Sequence, residues 1–185
     1  MFTKVVCPWW FAYTFDNFLR RLIHDPARLL GSYVAPGQTV VDVGCGMGHF
    51  SLGLAGLVGR NGRVISIDLQ DKMLATVGRR AEQAGWSDLI QRRKCRSDDL
   101  MVSDLKGLAD FILAFWMAHE IPDIGRFMRQ IKETLKPAGR FLLAEPKIHV
   151  SMPEFQEEVQ AAVKVGFTLE AQPTVALSRA ALFQS

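Results

Sequence analysis

Val40-Val-Asp42-Val-Gly44-Cys45-Gly46-Met-Gly48-His-Phe-Ser51 decides the fold of this chain. Thr39 to Val43 is a short apolar run rich in β-branched residues, bounded by Pro36-Gly37 and Gly44, and reads as a buried strand. Glycines at 44, 46 and 48 let the backbone turn tightly and come close to a ligand. Phe50 to Val58 follows as a helix. A second strand, Arg63 to Asp68, is entered through the Asn61-Gly62 turn and ends in an acid twenty residues after Gly48. A carboxylate there can accept hydrogen bonds from both hydroxyls of a ribose. Glycine loop, strand context and spaced acid together predict a ligand that contains a nucleoside.

Reading outward, strands and helices keep alternating. Residues 71–84 carry apolar side chains at 73, 74, 77, 81 and 84, a helical stripe that Gly85 ends. Leu89 to Cys95 reads as a third strand and Ala109 to Phe115 as a fourth. Ile124, Phe127, Met128, Ile131 and Leu135 repeat at helical spacing, and Pro137-Ala-Gly139 is expected to close that helix. Arg140 to Ala144 reads as a fifth strand. Ser151 and Glu154 form a capping box for a helix through Lys164. Phe167 to Glu170 and Val175 to Phe183 read as two last strands joined at Pro173. The expected fold is α/β: a Rossmann-like, doubly wound, mostly parallel seven-stranded sheet with a C-terminal antiparallel pair and helices on both faces. Ligands bind such sheets outside the carboxyl ends of the strands.

Composition narrows the setting. Lys and Arg outnumber Asp and Glu by 22 to 19, a surplus too small to argue for nucleic acid or an anionic membrane. The longest strictly apolar stretch, Phe111 to Ala118, is far short of the ~18 residues of a membrane span. Three scattered cysteines, Cys7, Cys45 and Cys95, fit no metal pattern and read as free thiols in a reducing compartment. A cytoplasmic domain without a resident metal is the expectation. Eight of 18 aromatic residues precede Val34, so residues 1–35 read as an aromatic cap or lid over a domain spanning 36–185.

The glycine spacing also selects the ligand. A dinucleotide fingerprint would need a third glycine at 49 or 51, where His49 and Ser51 stand. No Walker-type Gly-Lys-Ser/Thr occurs. The loop instead matches D-x-G-x-G-x-G. With Val64-Ile-Ser-Ile-Asp68-Leu69 and Leu135-Lys-Pro-Ala-Gly-Arg-Phe-Leu-Leu143, it resembles the class I S-adenosylmethionine-dependent methyltransferases. Within them it is similar to the small-molecule enzymes akin to ubiquinone/menaquinone C-methyltransferases. The resemblance covers roughly residues 36–145.

The resemblance implies S-adenosylmethionine as cofactor and S-adenosylhomocysteine as product. It implies that Gly44, Cys45, Gly46 and Gly48 line the cofactor, that Asp42 orients their loop, and that Asp68 takes the ribose with Leu69 on the adenine. Met73 of the next helix, Arg96 and Ser97 after the third strand, and Phe115 at the end of the fourth complete the implied set. Arg96 stands where many relatives carry an acid, with Asp98 or Asp99 as substitutes if the loop is shifted. Tyr13, with Trp9, Trp10 and Phe11, belongs either to a lid over cofactor and acceptor or to ordinary core.

Methyl transfer needs alignment, exclusion of water and, for poor nucleophiles, a base. Phe115-Trp-Met-Ala-His-Glu-Ile-Pro122 lacks the Asn/Asp-Pro-Pro-Tyr/Phe signature of amino-group enzymes. His119 and Glu120 are its candidate catalytic bases; Glu145, Lys147 and His149 line the same crevice or form a charged loop. The expected substrate is a small organic acceptor. An RNA methyltransferase, suggested by Arg79, Arg80, Arg92, Arg93, Lys94 and Arg96, and a non-catalytic nucleoside-binding module are the alternatives. A homodimer through an open edge or the aromatic arm is compatible with the sequence but not demanded by it.

Overall fold

The computed structural model describes residues 22–185. Seven strands form one sheet: β1 (Thr39–Val43), β2 (Arg63–Asp68), β3 (Ile90–Lys94), β4 (Ala109–Phe115), β5 (Leu135–Pro146), β6 (Thr168–Ala171) and β7 (Ser178–Gln184). Their order is β3-β2-β1-β4-β5-β7-β6. Pairs through β5 are parallel, and β7 runs antiparallel between β5 and β6. Among the described residues, the sheet is accompanied by the helices α1 (Pro26–Leu30), α2 (His49–Val58), α3 (Asp71–Ala84), α4 (Ile124–Thr134) and α5 (Met152–Lys164). This is the Rossmann-like, doubly wound architecture expected, with its antiparallel end.

The inner strands are apolar because both faces are covered. Successive β4 residues alternate between two cores. Ile112 and Ala114 join Val41, Ile65, Met128 and Phe141 on one face. Phe111, Leu113 and Phe115 join Val40, Leu54, Val77 and Leu142 on the other. The edges differ: β3 exposes Gln91, Arg92 and Lys94, and every residue of β6 is exposed. Charged side chains on an edge strand oppose pairing with a further chain.

Local signals hold at the helix ends. Gly85 ends α3 in the left-handed region at φ 72°. Both halves of the Ser151–Glu154 capping box form. One expectation is corrected. Pro137-Ala-Gly139 does not separate helix from strand; β5 begins at Leu135 and runs through it. Ala138 takes φ 61°, and the β4–β5 register slips between Ala109 and Phe111. The tripeptide is a bulge at a strand end, where proline costs no interior ladder bond. The last strand also starts later than expected, at Ser178, because Val175 to Leu177 turn to place it beside β5.

Leu30 and Val34 are buried in the second core, and Pro26 packs where Gly53 of α2 leaves room for it. Tyr13, Trp9, Trp10, Phe11 and Cys7 lie outside the described residues. No helix among those described is long and apolar enough to cross a membrane, and no group of three or more His, Cys, Asp or Glu side chains there could hold a metal ion.

Candidate active site

The glycine loop leaves β1 and folds onto the end of β2. Gly44 N–H and Cys45 N–H both donate to the Ile67 carbonyl, at 2.9 and 3.0 Å. Gly44, Gly46 and Gly48 have φ of 69°, 52° and 86°, which side chains rarely tolerate. Beneath the loop, buried Asp42 accepts a 2.6 Å hydrogen bond from Ser51 Oγ, and Ser66 Oγ donates to Ser51 Oγ at 2.8 Å. Asp42 thus ties β1 to the first turn of α2 and, through Ser51, to β2.

Asp68 caps the other side. Its Oδ2 accepts from Gly46 N–H at 2.9 Å and its Oδ1 from Gln70 N–H at 2.8 Å. Burial pushes this carboxyl above the usual aspartate range, against those backbone bonds. A carboxylate oxygen has more than one acceptor site, so both oxygens keep capacity for hydroxyl donors. A Cβ built on Gly46 would meet nothing within 4 Å. Open space above a positive-φ glycine, beside a buried acid, fits the ribose and amino-acid ends of a nucleoside ligand. Leu69 is half-buried next to the acid, and Met73 is buried in α3. Burial raises the Cys45 thiol, and it raises Cys95 to about 11, so neither is a ready thiolate.

At the end of β3, Arg96 and Ser97 are exposed and line a shallow cleft with Asp98, Ile121 and Phe127. Asp99 lines the same cleft and bonds toward α4. It accepts from Met101 N–H at 2.7 Å, Gln130 Nε2 at 2.9 Å and Arg126 Nη2 at 3.0 Å. Those bonds, the Met101 N–H foremost, hold its carboxyl below the usual range. The basic run also makes local bonds: Arg80 to the Met47 carbonyl, Arg92 to the Leu74 carbonyl, Arg93 to Asp104 and Lys94 to Asp71.

The fourth strand delivers the other wall. Phe115 is buried against Phe50, and His24 stands edge-on to both Phe115 and Trp116. Trp116 takes φ 61°, and its indole donates to Ser178 Oγ at 2.8 Å. A short 3-10 turn, Ala118–Glu120, then carries both candidate bases. Beneath it lies Glu145 of β5, fully buried. Its Oε1 accepts from Met117 N–H at 3.2 Å and Ala118 N–H at 2.8 Å, and its Oε2 is hydrogen-bonded to His119 Nδ1. Burial lowers the His119 pKa, but the bond and charge of Glu145 outweigh it, and the net shift is upward. Sequence reading left Glu145 either lining the crevice or in a charged loop. The signal for its role was a carboxylate at the C-terminal end of a buried strand, next to one that ends in a histidine turn.

Residues 35–177 match the family described as a methyltransferase domain. Demethylmenaquinone methyltransferase of Symbiobacterium thermophilum is 32% identical over 114 residues, 62% of this chain and 45% of that protein. The 2-phytyl-1,4-naphtoquinone methyltransferase of Synechococcus elongatus is 32% identical over 109 residues, 59% of this chain and 46% of that one. The chain therefore spans about half the length of the curated relatives it matches. A SAM dependent methyltransferase from Aquifex aeolicus has the same fold, with a TM-score of 0.86 over 97% of this chain and 99% of that one, at 21% identity. A glycine loop closed on Asp68, set in this sheet order and matched along 35–177, places the chain in the class I methyltransferase domain family.

Proposed function

We propose that this domain binds S-adenosylmethionine and methylates a small organic acceptor, releasing S-adenosylhomocysteine. The observation that carries the reading is the glycine loop bonded to Asp68 and in contact with the segment bearing His119. Asp68 would take the ribose, Leu69 and Met73 the adenine side, and Gly44, Cys45 and Gly46 the amino-acid end through backbone; Gly48 and Asp42 hold the loop. Arg96, Ser97 and the Phe115 backbone complete the adenine end; Tyr13, outside the described residues, is a further candidate cofactor contact. When bound, the cofactor supplies a sulfonium methyl whose carbon takes the acceptor's electron pair as the sulfur–carbon pair stays with sulfur. His119 is the proton acceptor, and Glu120, on the same turn, adds negative charge that favours its protonated form.

Calorimetry with S-adenosylmethionine and S-adenosylhomocysteine, followed by an acceptor screen read as S-adenosylhomocysteine formation, tests this. Binding in the micromolar range, on the order of −8 kcal/mol, with turnover on a small acceptor is expected. No binding of either ligand overturns it. Tight, salt-dependent binding of RNA with turnover only on RNA would move the substrate to nucleic acid.

A further inference from the structure

Glu145 is wholly buried, yet it accepts hydrogen bonds from two backbone N–H groups and is hydrogen-bonded to His119 Nδ1. Met117 and Ala118 donate to Oε1, which fixes the carboxylate relative to the turn that carries His119. An ionised carboxylate has no proton to give, so the hydrogen of the Oε2 bond belongs to Nδ1. In a neutral imidazole that leaves the lone pair on Nε2. The imidazole keeps 28% of its side-chain surface exposed and Glu145 none, so the ring is the accessible member of the pair.

The surroundings suit a ring that becomes charged. Glu120 on its own turn and Glu158 of α5 add negative charge beside Glu145. His149, after β5, lies parallel to the ring at 6.1 Å. Arg179 of β7 pairs in register with Glu145, but its guanidinium turns to the Lys147 and Val150 carbonyls. The charges of three carboxylates thus act on one imidazole, and each lowers the cost of its protonated form.

Resting on the methyl-transfer reading above, we propose that Glu145 is a positioning residue that holds His119 in its Nδ1–H form, making Nε2 the atom that takes the acceptor's proton. The acceptor is accordingly a group that sheds a proton as it reacts. That proton passes to the Nε2 lone pair and leaves later to water, restoring the neutral ring. Glu145→Gln keeps an oxygen for the two backbone donors but presents an amide N–H to Nδ1, which moves the ring proton to Nε2 and blocks the lone pair.

Nitrogen-15 NMR of the histidines in the cofactor-free protein reads the tautomer and its titration directly. The wild type is expected in the Nδ1–H form with a titration above that of a free histidine. Glu145→Gln is expected to switch to Nε2–H and titrate at least one pH unit lower. Turnover should fall 100-fold or more while S-adenosylmethionine affinity stays within threefold, and Glu145→Asp should recover part of the rate. The acidic limb of the turnover profile should follow the NMR titration. A wild-type ring in the Nε2–H form overturns the proposal without any variant. So does a Glu145→Gln protein whose turnover stays within threefold. Failure of the broader reading is a different result: the wild type then binds no cofactor, whatever its tautomer.

Discussion

Gly44 and Met117 touch: a methyl carbon placed on Gly44 would lie 2.6 Å from Met117 Cγ and 2.8 Å from its Cβ. The loop after β1 and the loop after β4 are therefore packed directly on each other. Gly44→Ala should lose about 2–4 kcal/mol, from left-handed strain and forced overpacking. Gly46→Ala meets open space, so it should lose only about 1–2 kcal/mol while filling the space proposed for the cofactor. Denaturant midpoints and calorimetry side by side should show Gly44 as chiefly a stability position and Gly46 as chiefly a binding one.

Asp68→Ala should weaken S-adenosylmethionine about 100-fold, the worth of one to two charge-assisted hydrogen bonds. Because burial raises this carboxyl, the acid limb of affinity should begin above the ordinary aspartate value of ~3.9. Affinity falls on acidification, since the protonated group accepts less well. Titrations from pH 4 to 7 check the sign: affinity unchanged down to pH 4 would contradict it.

Ser51→Ala removes the hydroxyl that joins Asp42 to Ser66. All three side chains are buried, so the loss should be about 1.5–3 kcal/mol. The denaturant midpoint should drop with an unchanged slope. A slope change would mean that β1 and α2 separate before the rest unfolds.

The raised His119 pKa has a defined sign in stability. The charged ring is bound more tightly in the folded state, so its contribution is full below the ordinary histidine value of ~6.5 and is lost as pH rises through the higher folded value. Wild type should therefore lose stability relative to His119→Gln across neutral to mildly alkaline pH. Parallel stability curves for the two proteins would refute this.

The stop at Gly85 and the capping box at Ser151 were legible because each depends on residues within a few positions, and Asp68 because it ends a strand twenty residues after Gly48. The apolar run of β4 was equally plain, since both faces of that strand are covered. Pro137-Ala-Gly139 misled because its local meaning is a break. Pairing of Leu135 with Ala109 across the sheet overrides that tendency and turns the break into a bulge.

The amino-acid order alone determined the alternation of strands and helices and the place of the glycine loop, because backbone preference and hydrophobic period act over short spans. Only the tertiary structure decided that β7 lies between β5 and β6, that Met117 rests on Gly44, and that Glu145 lies beneath His119. Residues 119 and 145 are distant along the chain. They meet because Phe115 pairs with Ala144, which sets the ends of β4 and β5 side by side. No local preference encodes such a meeting; it follows from the order in which strands pair once the whole apolar surface is buried.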